Sequence, residues 1–171
     1  MIIEDLLWEF DPSPMGLPCG LKGVLEGVNW LQECEPCDIR FLGVVDTVGV
    51  IFDLRTGLFG EDWGAPADVA VLVVQGVRQL NSPSIRDAMV KWETIIDERG
   101  WACQIGQVHT PGLIEIKGTR ASLYGGVIPG FPDCQPLLGT SDLNVIRAGW
   151  PSWQSEFVAT IEPEHWPTLD S

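Results

Sequence analysis

The chain has 171 residues, 45% of them hydrophobic, with eight Trp and six Phe, and such a composition excludes a disordered chain. No apolar run approaches the roughly 18 residues of a membrane-spanning helix, and at this length a single domain, residues 1–171, has room to bury roughly 70% of its unfolded surface around one core. Ten Lys and Arg against 24 Asp and Glu leave a net charge of -14, which repels a nucleic-acid backbone and an anionic membrane surface alike.

Neither direct nucleic-acid binding nor membrane association is therefore expected. The charge is uneven, because residues 1–39 hold eight acids (Glu4, Asp5, Glu9, Asp11, Glu26, Glu33, Glu35 and Asp38) against the single base Lys22. A basic protein would be steered there, although acidity also serves solubility alone. The first residues, Met-Ile-Ile-Glu-Asp-Leu-Leu, place acids where a secretory signal carries bases, so a cytoplasmic protein is expected. Five cysteines, an odd number, then read as free thiols.

Taken in order, Ile2, Ile3, Leu6, Leu7 and Phe10 recur at helical spacing between Glu4, Asp5 and Glu9, which predicts a short amphipathic N-terminal helix. Asp11-Pro12-Ser13-Pro14 ends it. Val24 to Leu31 reads as a strand, and the segment from Glu33 to Asp38 reads as a turn because Pro36 fits no strand interior. Phe41 to Leu80 reads as a hairpin of long strands around which the rest is organised. Its first arm alternates Val48, Val50, Phe52 and Leu54 with Gly49, Ile51, Asp53 and Arg55, one apolar face and one mixed. Its second arm, Val69 to Val74, is apolar on both faces, the mark of a central strand.

Between the arms, residues 56–66 form a Gly-rich connection in which Leu58, Phe59 and Trp63 stand beside Glu61 and Asp62. These five are the candidate partner-binding residues. The competing reading is that they fold back over the sheet edge. Beyond the hairpin, a helix is predicted from Pro83 to Arg99. Ser82 serves as its cap, Pro83 as its first residue and Gly100 as its exit, with Ile85, Ala88, Met89, Trp92, Ile95 and Ile96 as an apolar stripe. That stripe is expected to cover the strand of residues 69–74. Trp101 to Val108, Leu113 to Thr119 and Ala121 to Ile128 read as three strands, followed by a loop region to about Pro151 and a last strand from Glu156 to Ile161. The expected fold class is α+β: a largely antiparallel sheet with one long amphipathic helix on a face and a short N-terminal helix.

The chemistry-bearing residues form no recognised constellation. Cys34-Glu35-Pro36-Cys37 has the spacing of half a zinc site or a redox pair, but no second close pair supplies the remaining ligands. No helix is expected after it, so two thiols in a turn is the preferred reading. His109 and His165 sit in no nucleophile or metal pattern, the first in a turn and the second in an exposed tail, and no P-loop, G-x-S-x-G or H-E-x-x-H occurs. Acid pairs such as Asp46 with Asp53, or Glu61 with Asp62, arise readily among 24 acids. Gly125-Gly126 and Gly57 to Gly60 lack the lysine and strand-to-helix context of a phosphate loop. No metal or cofactor is expected.

An acidic chain with aromatic-rich loops and no catalytic signature reads as a protein that works by binding another protein rather than as an enzyme. In size, acidity and lack of motifs it resembles bacterial immunity proteins that neutralise toxins; no residue motif carries that resemblance, so no site is transferred from it. The resemblance implies an inhibitor whose acids occupy the basic active site of a toxin, a nuclease for instance, with aromatic residues holding the complex. The alternatives are an enzyme with a carboxylate-based or metal-assisted site assembled from scattered residues, and a self-associating structural protein that forms a homodimer.

Overall fold

The computed structural model describes residues 1–8, 36–56, 67–81, 93–97, 100–105, 114–132, 135–136 and 142–166. A 3-10 helix, Ile3–Trp8, precedes strands β1 (Pro36–Leu42), β2 (Thr47–Asp53), β3 (Val69–Gln75), β4 (Gln79–Asn81), β5 (Glu93–Asp97), β6 (Gly100–Ile105), β7 (Ile114–Gly118) and β8 (Arg120–Val127). A single 3-10 turn, Leu54–Thr56, follows β2, and a short helix α1 (Leu143–Gly149) and the last strand β9 (Val158–Trp166) complete the described elements. One sheet runs β1-β2-β3-β8-β9 and a second runs β4-β7-β6-β5, with antiparallel pairing throughout.

β3 lies in the middle of its sheet, between β2 and β8, as its doubly apolar sequence requires. From Val69 to Val74 no residue exceeds 2% exposure. The register Ile51↔Val71↔Tyr124 and Val50↔Leu72↔Leu123 sorts the side chains onto two faces. On one face, Ile51, Val69, Val71, Val73 and Tyr124 pack with Ile3, Leu6 and Leu7 of the 3-10 helix and with Ile128, Trp153 and Phe157. On the other, Val48, Val50, Phe52, Leu72, Val74 and Leu123 are also buried.

The N-terminal segment is stitched to the chain before β9 by Ile3 N donating to Ser155 O at 3.0 Å, Glu4 N to Trp153 O at 2.9 Å and Phe157 N to Met1 O at 2.8 Å. These bonds fix the depth at which Leu6 and Leu7 enter the core. The helical spacing of the apolar residues is realised, but as a 3-10 helix, the tighter form common in short pieces.

The two sheets share one bent ribbon. β3 continues into β4 across Gly76 to Arg78, and β7 continues into β8 across Thr119, so the pairs β3/β8 and β4/β7 are successive parts of the same antiparallel ladder. Arg78 N donates to Lys117 O at 2.8 Å and Thr119 N to Gln75 O at 3.0 Å, carrying the ladder around the corner. Such a corner demands glycine. Gly76 has φ 59, in the left-handed region that side chains disfavour, and a Cβ on Gly118 would lie 2.5 Å from Val74 Cγ1 and 2.7 Å from Gln75 O.

The helix expected from Pro83 to Arg99 is contradicted. Its second half is β5, which pairs with β6 through Ile95↔Ala102, Ile96↔Trp101 and Asp97↔Gly100. Thr94, Ile95 and Ile96 are β-branched, and a two-residue connection to Gly100 completes a hairpin, so local pairing prevails over the helical stripe. Gly100 opens β6 instead of ending a helix. Residues 82–92, including Trp92, lie outside the described residues, as does the strand expected over Val24 to Leu31. No long helix lies among the described residues, whose one α-helix is α1, and the expected fold class is corrected to two antiparallel sheets with a short helix and a 3-10 turn.

Smaller differences share a cause in how sheets accommodate proline. Pro36 is the first residue of β1, where the register shifts between Pro36 and Asp38; a strand start beside a bulge is one of the few places in a sheet open to proline. β9 likewise runs through Pro163 to Trp166, past the expected end at Ile161. Leu123 faces Glu164 while Gly125 faces Ile161, so Glu162 and Pro163 form the bulge opposite Tyr124. His165 is thereby in a strand, opposite Ser122, rather than in a tail.

Candidate functional site

At the end of β2 the mixed face of the strand carries Asp53 and Arg55 into the protein. Their side chains are 0% and 4% exposed, an arrangement that requires every charge to be matched by hydrogen bonds. Asp53 Oδ1 accepts from Arg55 N at 3.0 Å and from Nε at 2.9 Å. Oδ2 accepts from Arg55 Nη2 at 2.5 Å and from Gln135 Nε2 at 2.8 Å. Beyond the carboxylate, Nη1 donates to Pro132 O and Nη2 to Gly149 O, each at 2.7 Å. The guanidinium carbon lies 3.7 Å from the centroid of the Phe131 ring. One arginine thus ties the end of the central sheet to the turn after β8 and to the end of α1.

This cluster is a clamp and not a reaction centre. The carboxylate is engaged on both oxygens, the guanidinium spends its donors on two carbonyls and the carboxylate, and both groups are shut off from solvent. Of the acid pairs named from the sequence, Glu61 and Asp62 lie outside the described residues, and Asp46 and Asp53 do not meet. Asp46 sits in the turn between β1 and β2 with φ 47, seven residues before Asp53, which is roughly 23 Å along an extended strand. Among the described residues no group of three or more His, Cys, Asp or Glu is placed to hold a metal ion. Cys37 is a half-buried thiol packed against the core, whereas Cys34 lies outside the described residues. Gly126 is accounted for by packing, because a side chain there would run into the Phe157 ring and the Val158 carbonyl.

The candidate partner-binding residues Leu58, Phe59, Glu61, Asp62 and Trp63 all lie outside the described residues. What is described is the place from which their connection leaves and to which it returns. Asp53 pairs with Val69, Leu54 N donates to Asp68 O at 2.9 Å, and Asp68 N donates to Gly126 O at 2.9 Å. The stems of the connection are therefore held together at the Arg55 end of the sheet.

Helix α1 stands at the same end. Asp142 caps it, accepting from Asn144 N at 2.8 Å, and Gly149, its buried residue, sits so close to Pro136 that a Cβ there would collide with that ring. The rest of the helix is largely exposed, with Leu143 at 68% and Val145 at 55%. From sequence alone residues 129–151 read as loop, so these two exposed apolar residues do not stand out there. A signal was present in the capping residue Asp142 before Leu143, Val145 and Ile146.

Elsewhere the 3-10 helix and the edge strand β1 are joined by Arg40, which pairs with Glu4 at 2.7 Å and lies 5.5 Å over the Trp153 ring. Of the eight acids in residues 1–39, Glu4, Asp5 and Asp38 are described, and the other five fall in residues 9–35, outside the described residues. No helix among the described residues is long and apolar enough to cross a membrane. Compared with protein-family models, curated proteins and solved structures, the chain matches none.

Proposed function

We propose that this protein works by binding a basic protein partner, as an inhibitor that covers the basic site its partner uses, in the manner of an immunity protein against a toxin. The observation that carries this reading is the net charge of -14, which favours rapid encounter with a cationic surface. The binding residues are Leu58, Phe59, Glu61, Asp62 and Trp63, with the aromatic pair as anchors and the acids as the steering charges.

The surroundings of that connection support the choice. Its stems are bonded to each other through Leu54 and Asp68, and Arg55 pairs with Asp53 beside the first stem, which limits how much of the scaffold must be ordered on binding. Val145 is exposed and four residues, roughly 6 Å of helix rise, from Gly149 at the clamp. It and Leu143 add apolar contact area at the same end. The inhibitor acts in the cytoplasm with its thiols reduced.

Co-purification from the native host, followed by association kinetics at several salt concentrations, tests the proposal. A basic partner whose association slows as salt rises is expected. An acidic partner, or association indifferent to salt, overturns it.

A further inference from the structure

We draw no further inference here: the strongest candidate, the surface patch of exposed Phe41 and Val44 on the edge strand β1 and its hairpin turn, carries nothing because nothing in the structure shows what covers it.

Discussion

Asp53 and Arg55, two residues apart on one face of β2 and its continuation, form an ion pair in which Nε and Nη2 each meet a different carboxylate oxygen, at 2.9 and 2.5 Å. The pair is shielded from water, so its Coulomb attraction is set against the loss of hydration of both ions. The backbone carbonyls of Pro132 and Gly149 and the amide of Gln135 add further hydrogen bonds to it. Its structural consequence is to hold chain segments far apart in sequence at the one sheet end where the candidate binding connection begins.

Removing only one member of this pair is expected to be costly. Arg55→Ala strands a buried carboxylate and takes the side-chain donor from the Pro132 and Gly149 carbonyls, and should lower stability by about 3 to 5 kcal/mol in urea denaturation. Arg55→Lys should recover little, because an ammonium cannot reproduce the planar fork. The double change Asp53→Leu with Arg55→Met should cost less than Arg55→Ala alone. A loss below about 1 kcal/mol for Arg55→Ala, the range of an exposed pair, would contradict the clamp.

The core face beneath the 3-10 helix makes a second prediction. A Cβ on Gly49 would lie 2.5 Å from Trp153 Cη2 and still closer to Leu7 Cδ2, so Gly49→Ala should destabilise by about 1 to 3 kcal/mol through overpacking. Leu7→Ala alone should cost about 2 to 5 kcal/mol. Combined, the two should cost less than their sum, since removing the Leu7 side chain opens room for the added methyl. Strict additivity in a double-mutant cycle would mean that Leu7 does not press on β2.

Helix α1 should behave as a local unit. Its seven residues are too few to be stable alone, and its exposed surface leaves the cap and the Gly149 end to hold it. Asp142→Ala is expected to cost about 1 kcal/mol at the helix, read as faster hydrogen exchange at Ile146, whose N–H bonds to Asp142 O at 2.9 Å. The global unfolding midpoint should hardly move, because such opening is sub-global. A matching shift in global stability would show that α1 is part of the main cooperative unit.

The parts of this fold legible in sequence are those whose local and long-range demands agree. Val69 to Val74 can satisfy its two apolar faces only at the centre of a sheet, and Gly49 on the mixed face of β2 marks where the helix and Trp153 press in. At Glu93 to Asp97 the two demands diverge: Ile95 and Ile96 fit a helical stripe as well as a strand, and pairing with Ala102 and Trp101 decides between them. Pro36 and Pro163 read as chain breakers because the bulges that make room for them arise only once their strands pair with a neighbour. The clamp escaped notice for a similar reason. Asp53 and Arg55 were visible as polar residues on a strand face, but Pro132, Gln135 and Gly149 are 77 to 94 residues away. Of the candidate site, only the stems are described.

Trp63 is the expected anchor of the partner complex. Trp63→Ala should cost about 2 kcal/mol or more of binding free energy, roughly thirtyfold in affinity, mainly through faster dissociation. Calorimetry with the co-purified partner would measure it. An unchanged dissociation constant in a folded variant would remove Trp63 from the interface.

The most direct test of the account is the association rate of the co-purified partner with Glu61→Lys/Asp62→Lys, compared with the unaltered protein over a range of ionic strength. Reversing these two charges should slow association and flatten its salt dependence while leaving dissociation nearly unchanged, because steering charges act on encounter more than on the bound complex. If the folded variant associates as fast as the unaltered protein at every salt concentration, the acidic connection between β2 and β3 is not where the partner docks.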